Sequence, residues 1–281
     1  MSEVDIQPGQ TYGFFTDTTL CIGCKACEVA CKEWNLLPAE RSGMTGHSYD
    51  NTGELSATTW RHVSFVEQLS VYGSGPVTEM RPFQSNWLMM SDVCKHCARA
   101  GCLEACPTGA LFRTEFGSVV VQQDICNGCG YCVPACPFGV VELDLGDGKA
   151  HKCTLCYDRL KGGLEPACAK ACPTNSIQFG PLDDLHARAK ARVQHLVEQG
   201  VGSAYLYGVE GSDGSAGSTG GIGDLHAFFL LTDRPEIYNL PAAPTLPSRR
   251  IRPGLLRGLA TMAGLALATS ALFWGGPSRH G

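Results

Sequence analysis

The sequence lacks the motifs that mark most catalytic sites. It contains no Walker loop, no GxGxxG after a predicted strand and no nucleophile elbow, so neither phosphate cradling nor acyl transfer is indicated. Its 8 histidines form no HExxH or comparable ligand spacing. It has no basic stripe and a formal net charge of −5, so we expect no nucleic-acid partner. These absences leave a chain without an evident catalytic group of its own.

The N-terminal segment lacks the features of an export signal. Residues 1–15 read MSEVDIQPGQTYGFF, with acidic residues and no apolar h-region, so we do not expect a signal peptide. The 281 residues exceed what one compact domain usually needs. The 34 Gly and 16 Pro indicate a chain rich in turns and loops.

Cysteine is the residue that the chain has in excess, and none of the 16 stands alone. They form four groups of four: Cys21, Cys24, Cys27, Cys31; Cys94, Cys97, Cys102, Cys106; Cys126, Cys129, Cys132, Cys136; and Cys153, Cys156, Cys168, Cys172. An even count suggests disulfides in a secreted chain. However, the two cysteines of a C-x2-C pair bridge each other poorly, because a disulfide needs a particular Cα separation and dihedral angle. Strict grouping in fours therefore indicates metal ligation.

The spacing favours iron–sulfur clusters over zinc. Zinc usually takes its four thiolates from two separated CxxC knuckles, and only the last group fits that description. The first and third groups, CIGCKAC and CNGCGYC, each offer three thiolates in one short loop and a fourth after three more residues. CNGCGYCVPACP (126–137) matches the bacterial ferredoxin pattern C-x2-C-x2-C-x3-C-P in full. We expect the fourth cysteine to start a helix that points away, and so to ligate a different cluster.

If each fourth cysteine crosses over, the groups work in pairs. The second and third groups flank a predicted short strand, SVVVQQDI (118–125), and form a two-cluster ferredoxin unit; the first and last groups pair around it. The prediction is four [4Fe–4S] clusters held by Cys21, Cys24, Cys27 and Cys172 (set 1); Cys31, Cys153, Cys156 and Cys168 (set 2); Cys94, Cys97, Cys102 and Cys136 (set 3); and Cys106, Cys126, Cys129 and Cys132 (set 4).

Three further residues lie among the cysteines. His96 is inside the second group, whose four thiols are already assigned, so we interpret it as a residue beside the cluster or at the surface. Lys25 and Lys152 are neighbours of ligand cysteines, where a positive charge raises a reduction potential. The alternative for both lysines is a solvated side chain.

The rest of the chain predicts an α+β fold of two intertwined ferredoxin-like units. A hairpin is expected within residues 32–93, a helix over 183–200, a mobile loop over 208–223 and a strand over 225–233. We divide the chain into 1–93 (first motif and insertion), 94–139 (two-cluster unit), 140–181 (fourth motif), 182–239 (helix, loop and strand), 240–257 (Pro/Arg linker) and 258–278.

Residues 258–278 predict a C-terminal transmembrane helix. The segment GLATMAGLALATSALFWGGPS carries no charge, and at about 1.5 Å per residue it crosses a bilayer core of about 30 Å. Arg249, Arg250, Arg252 and Arg257 precede it, and Trp274 lies near its other end. Ala260, Gly264 and Ala268 form a ridge of small residues suited to packing on another membrane helix. The alternative is a buried helix that ends a soluble domain.

Three stretches together carry a family resemblance. They are CIGCKACEVACKEWN (21–35), CNGCGYCVPACPFGV (126–140) and KCTLCYDRLKGGLEPACAKACPTNSIQFG (152–180). They resemble the iron–sulfur β-subunit of membrane-bound molybdenum or tungsten formate dehydrogenases, and the similarity runs from about residue 12 to 275. The cysteine motifs also occur in subunits of nitrate, polysulfide and sulfoxide reductases and of some hydrogenases. The KEWN extension and the C-terminal span favour the formate dehydrogenase subunits over these other families.

The resemblance implies a non-catalytic electron-transfer subunit. A catalytic α-subunit with a pterin-bound metal oxidises formate, and electrons pass singly through four [4Fe–4S] clusters to a cytochrome b γ-subunit with haem and then to quinone. Some relatives have tryptophan in place of one cysteine of the third group; since Cys129 and its neighbours are all present here, a three-iron cluster is not expected. The family's usual orientation places the cluster domain outside the cytoplasm, whereas the arginines before the span favour the cytoplasmic side. The alternatives are the same role in another molybdopterin oxidoreductase or a hydrogenase, and a zinc-stabilised scaffold at a membrane.

Overall fold

The computed structural model describes residues 5–39, 43, 45–46, 49–69, 85–210 and 221–274. Its strands are β1 (Tyr12–Asp17), β2 (Arg61–Leu69), β3 (Ser85–Val93), β4 (Leu111–Arg113), β5 (Val119–Val121), β6 (Glu142–Leu143), β7 (Ala150–His151), β8 (Ile177–Pro181), β9 (Tyr205–Tyr207) and β10 (Ala227–Leu231). Its α-helices are α1 (Ala26–Asn35), α2 (Gly101–Glu104), α3 (Cys132–Ala135), α4 (Tyr157–Lys161), α5 (Ala167–Lys170), α6 (Leu182–Glu198) and α7 (Pro247–Trp274). The fold is mixed α and β, as predicted.

A four-stranded sheet joins distant parts of the chain. Its strand order is β8-β1-β10-β9, with β1 parallel to β10 and antiparallel to β8. Every residue of β1 and β10 is buried, which explains the unbroken apolar run AFFLL in β10. The predicted strand at 225–233 is confirmed as β10. The predicted segments 1–93, 140–181 and 182–239 therefore meet in one sheet, although the segment boundaries themselves stay predictions.

Helix α6 packs against this sheet and confirms the helix predicted over 183–200. Asp183 and Asp184 lie in its first turn, where carboxylates complement the helix dipole. Leu185, Ala189 and Leu196 are buried along one face. The left-handed Gly200 follows its end.

Three two-stranded hairpins surround the cysteine groups. Strand β2 pairs antiparallel with β3, β4 with β5, and β6 with β7. The first confirms the hairpin expected within 32–93, and residues 70–84, which connect its two strands, lie outside the described residues. The strand expected within 118–125 is confirmed as the shorter β5. Of the glycine-rich loop expected over 208–223, positions 211–220 also lie outside the described part.

Helix α7 ends the described chain. It is 28 residues long, and Ser248 Oγ donates to Glu104 Oε2 at 2.9 Å near its beginning. Leu256, Met262 and Leu267 are 67%, 69% and 71% exposed. Among the residues that the structure describes, no helix has the length and apolar character needed to cross a membrane. Positions 275–278 of the predicted span lie outside the described residues.

His226 makes the fold sensitive to acid. It is 6% exposed, and its Nδ1 donates to Gly117 O at 3.0 Å. Burial, and then the charge of Arg113, lower the pKa of His226 from 6.5 to about 4. The neutral form of His226 stabilises the fold. This contribution is complete above pH 6.5, the pKa of histidine in the unfolded chain, and it is lost as the pH falls from 6.5 towards 4.

We expect the free energy of unfolding to be about 2 kcal/mol lower at pH 5 than at pH 7.5 on account of this histidine. His226→Asn keeps a donor for Gly117 O but does not titrate, so it should remove most of that difference. Chemical denaturation of both proteins at the two pH values measures it. An equal loss in both proteins contradicts the assignment to His226.

Candidate metal centres

The four cysteine groups share one loop conformation. In each group the residue before the second cysteine has a positive φ: Gly23 at 64°, His96 at 43°, Gly128 at 71° and Leu155 at 60°. Glycine adopts this conformation without cost, whereas His96 and Leu155 are held in it by their surroundings. In the last group, Leu155 N–H donates to Cys153 Sγ at 3.4 Å. In the sequence, glycine at positions 23 and 128 is a signal for such a conformation, whereas His96 and Leu155 give none, because neither residue type favours a left-handed position.

Each group has a helix that begins at its third cysteine or one residue before it. Helices α1, α2, α3 and α5 contain the third cysteines, which are Cys27, Cys102, Cys132 and Cys168. Outside α1, the fourth cysteine follows the end of the helix, and Cys136 caps α3. The expectation that the fourth cysteine starts a helix is therefore wrong. The reason is geometric, since the x3 spacing is about one helical turn and carries the chain from one cysteine to the next.

Pairs of these helices pack on each other. Helix α1 packs on α5, and α2 packs on α3. The first contact brings the first and last cysteine groups together across most of the chain. The second brings the two middle groups together, as in the two-cluster unit that the spacing predicts.

Two cavities are each lined by four thiols. One is lined by Cys21, Cys24, Cys27 and Cys172, which are the four members of set 1. The other is lined by Cys31, Cys153, Cys156 and Cys168, the members of set 2. Each cavity thus draws one cysteine from the opposite group, which supports the predicted crossing.

The thiols of sets 3 and 4 lie near one another in the same way. Burial raises the pKa of Cys97 well above its usual value, and Cys94, Cys136 and Cys102 raise it further. Burial likewise raises the pKa of Cys132 to about 11, with added contributions from its neighbours Cys126, Cys129 and Cys106. The groups that act on each thiol are therefore the other members of its predicted set.

Electrostatic interactions between thiols of different sets, together with the packing of α1 on α5 and of α2 on α3, indicate the order of the four sets, which we call the row. Cys168 of set 2 is among the groups that raise the pKa of Cys27 of set 1. Cys94 of set 3 is the thiol that acts most on Cys153 of set 2. Cys132 of set 4 is among the groups that raise the pKa of Cys102 of set 3. At the two ends, Cys24 of set 1 and Cys129 of set 4 are the exposed cysteines.

Side-chain hydroxyls and amides surround the sulfur atoms. Ser91 Oγ lies 3.3 Å from Cys27 Sγ, and Asn35 Nδ2 donates to Cys31 Sγ at 3.7 Å. The two C-P-T sequences behave alike, since the hydroxyls of Thr108 and Thr174 lie 3.6 and 3.8 Å from the sulfurs two residues before them. Hydrogen bonds to ligand sulfurs are one of the means by which a protein sets a cluster potential.

Of the three residues whose position the sequence left open, His96 and Lys152 are buried. His96 is 1% exposed; it accepts the Val119 N–H at Nδ1 (3.0 Å), and in the described part of the chain its Nε2 has no hydrogen-bond partner. Burial, then Lys152, hold the pKa of His96 well below its usual value, so the ring is neutral. Lys152 is 2% exposed and donates to Cys153 O at 3.0 Å, so the solvated alternative is wrong for it. Lys25, by contrast, is partly exposed and lies 3.7 Å from Glu28.

The donor set fits [4Fe–4S] clusters. All sixteen cysteines are free thiols, grouped in fours within reach of one another. Burial raises the pKa of both Cys27 and Cys102 to about 12, so these thiols stay protonated at neutral pH until a metal displaces the proton. Thiolates in sets of four, in an apolar interior, are the ligands that such clusters require.

Gly128 and its neighbour Gly130 give a matched test of the loop around set 4. Both have positive φ, at 71° and 77°, so alanine is strained by about 1–2 kcal/mol at either position. A Cβ at position 128 lies 2.2 Å from Gly148 O, whereas one at position 130 meets nothing closer than 3.4 Å. We expect Gly128→Ala to lose the set 4 cluster and Gly130→Ala to keep it. Iron content and visible absorbance of the two purified variants measure this, and equal iron in both contradicts the loop geometry.

Comparison with known proteins agrees with this site. Residues 85–182 match a family model described as a 4Fe-4S dicluster domain, and residues 18–34 match one described as a 4Fe-4S binding domain. The chain is 38% identical over 262 residues to the formate dehydrogenase iron-sulfur subunit of Haemophilus influenzae, covering 91% of this chain and 77% of that protein. It is also 38% identical to the nitrate-inducible formate dehydrogenase iron-sulfur subunit of Escherichia coli, covering 92% of this chain and 82% of that one.

A more distant relative shares only part of this similarity. The B subunit of the anaerobic dimethyl sulfoxide reductase of Escherichia coli is 35% identical over 177 residues, which cover 63% of this chain. The protein is thus a [4Fe–4S] electron-transfer subunit of a molybdopterin oxidoreductase, working in a complex with other subunits. Together with the four thiol-lined loops, the similarity over more than nine-tenths of its length shows that it belongs to the family of formate dehydrogenase iron–sulfur subunits.

Proposed function

We propose that this chain relays electrons from a formate-oxidising molybdenum or tungsten subunit to a membrane cytochrome b and quinone, through four [4Fe–4S] clusters. The observation that carries the proposal is the row of sets 1, 2, 3 and 4, with an exposed cysteine at each end. A row with two exposed ends suits a chain that receives electrons from one protein and passes them to another. The formate-linked part of the proposal rests on relatives that align over about 92% of the chain, against 63% for the sulfoxide reductase relative.

The position of α7 supports a direction along the row. The first turn of α7 contacts α2. Ser248 Oγ donates to Glu104 Oε2 at 2.9 Å. Pro247 is close enough to Gly101 that a side chain at position 101 would have its Cβ 3.3 Å from Pro247 Cδ. Helix α2 contains Cys102 of set 3 and ends two residues before Cys106 of set 4. We therefore propose that the membrane partner docks near set 4. The catalytic subunit then docks near set 1, where Ile22 and Val29 are each 60% exposed.

The apolar side chains of α7 support a membrane role for this helix. Leu256, Met262 and Leu267 are exposed, and no charge follows Arg257 until Arg279. We propose that the helix packs, through its small-residue ridge, on a helix of the cytochrome b subunit within the bilayer. The cluster domain is placed outside the cytoplasm, on the family's usual orientation. Protease protection of intact and inverted vesicles tests the side.

Each cluster, when bound, takes up and gives back a single electron. The residues of this chain hold the clusters, keep water away and set their electrostatic surroundings. In the interior of the row, Cys153 and Cys168 are buried with Leu155 beside them. Burial of this kind keeps the local dielectric low, so that each charge near a cluster acts strongly on it.

The test uses the native complex, purified from membranes through a tag on this subunit. Electron paramagnetic resonance spectra are recorded before and after adding formate, and again after dithionite. We expect formate alone to reduce the clusters. Reduction by dithionite only overturns the formate assignment and leaves the electron-transfer role intact. In that case the large subunit that co-purifies identifies the true electron donor.

A further inference from the structure

Arg61 is a buried cation between the thiols of two different sets. It is the first residue of β2 and is 1% exposed. Its Nη2 donates to Cys168 Sγ at 3.2 Å, and its Nη1 donates to Ser91 O at 3.2 Å and to Ser91 Oγ at 3.3 Å. Ser91 Oγ in turn lies 3.3 Å from Cys27 Sγ. One guanidinium group thus connects a set 2 ligand with a set 1 ligand.

The charge of Arg61 has no carboxylate beside it. Within the described ranges, no Asp or Glu oxygen lies within 4.0 Å of its guanidinium nitrogens, and its Nε has no hydrogen-bond partner. The face of the Phe14 ring lies 4.8 Å from the guanidinium carbon and contributes a weak cation–π contact. An arginine buried without a counter-charge destabilises a fold by several kcal/mol. The counter-charge must therefore come from groups other than carboxylates.

The cysteines supply that counter-charge when the clusters are bound, because they are then thiolates. Arg61 lines the same cavity as Cys31, Cys153 and Cys168, and it donates directly to the sulfur of Cys168. It reaches Cys27 through Ser91 Oγ. Three of these four cysteines belong to set 2 and one to set 1.

We propose that Arg61 is the shared counter-charge of sets 1 and 2, a positioning residue that raises the reduction potentials of both clusters, and that of set 2 more. The proposal rests on the assignment of [4Fe–4S] clusters to these sets. Reduction adds one negative charge to a cluster, so a fixed buried cation favours the reduced form of each neighbour. Because one charge acts on both sets, its removal should lower both potentials, and that of set 2 by more.

The test is a redox titration of the purified complex, followed by electron paramagnetic resonance, for Arg61→Met, Arg61→Gln and Arg61→Lys. At a fixed ambient potential we expect Arg61→Met to lower the reduced-to-oxidised ratio of the set 2 cluster about tenfold, equal to about 59 mV for a one-electron couple. The set 1 cluster should change about threefold, and sets 3 and 4 should not change. The paramagnetic resonance signal that is missing from the spectrum of Cys21→Ala is assigned to set 1. The signal that is missing from the spectrum of Cys153→Ala is assigned to set 2.

Arg61→Gln and Arg61→Lys separate charge from packing. If the charge sets the potentials, Gln behaves like Met and Lys stays near the wild type. If the hydrogen bonds or the packing of the planar group matter instead, Lys shifts as much as Met, and the proposal is overturned. Should Arg61→Met fail to assemble, the Gln and Lys pair decides the question alone.

Lys152→Met is the matched control. Lys152 is also buried and lacks a carboxylate partner in the described residues, but its charge acts on Cys102 of set 3. Lys152→Met should therefore shift the reduction potential of the set 3 cluster. The proposal fails if Arg61→Met shifts the same potentials as Lys152→Met, or none, while all the iron is retained. The proposed function fails separately, if formate does not reduce the wild-type clusters.

Discussion

Replacing Cys172 by alanine is expected to remove the cluster of set 1 and to leave that of set 2, although Cys172 lies only four residues after Cys168. The reason is the crossing: Cys172 shares a cavity with Cys21, Cys24 and Cys27, while Cys168 lines the other cavity. Iron per polypeptide should fall by about one quarter, since one of four clusters is lost. Formate-driven quinone reduction should fall at least about a hundredfold, because the row is interrupted at its first member.

Double variants make this prediction specific. Cys172→Ala combined with Cys21→Ala should lose no more iron than either change alone, because both remove the same cluster. Cys172→Ala combined with Cys153→Ala should lose twice as much. Thr174→Val, which removes the hydroxyl 3.8 Å from Cys172 Sγ and keeps all thiols, is the control and should retain its iron. Additive loss for Cys172 and Cys21 would show that the two cysteines serve different clusters.

Removing the clusters should abolish cooperative folding, which is the second large effect. One of the two apolar cores contains the ligand cysteines themselves, with Cys27, Cys94, Cys102, Cys132, Cys153 and Cys168 among its buried members. Without iron, the buried ligand cysteines are no longer held as thiolates, and buried Arg61 loses the negative charge beside it. Metal binding and folding are therefore expected to be one process.

The measurement is thermal unfolding of the protein with its iron and after the iron is removed with a chelator. We expect the sharp transition of the loaded protein to disappear and to return when iron, sulfide and a reductant are restored. The second core, built on α6 and β10, contains no ligand cysteine among its buried members and serves as the internal comparison. A metal-free protein that still melts in a single sharp step contradicts this expectation.

The cysteine spacing predicted more of the site than any other feature of the sequence. Tight loops with three thiols leave few geometric solutions, so spacing alone predicts the groups and their pairing. The two cavities lined by the members of sets 1 and 2 support this prediction. The strand β10 and helix α6 were also found, since a run of five apolar residues and a clear helical periodicity are strong signals.

The contacts that depend on tertiary packing could not be read from the sequence. Arg61 begins an ordinary strand, and nothing near it in the sequence signals that it reaches Cys168, which is distant along the chain. The same holds for His96, whose buried position depends on Val119 of another hairpin. The joining of β1, β8 and β10 in one sheet was missed as well, because strand pairing over such distances leaves no local pattern.

The most direct test of this account is a map of the iron positions in the intact, cluster-loaded complex, obtained by electron cryomicroscopy. We expect four separate [4Fe–4S] densities in the row of sets 1, 2, 3 and 4. Cys172 should ligate the first cluster and Cys31 the second. A cluster ligated by Cys21, Cys24, Cys27 and Cys31 together, without any cysteine from the last group, contradicts the crossing and the row built on it.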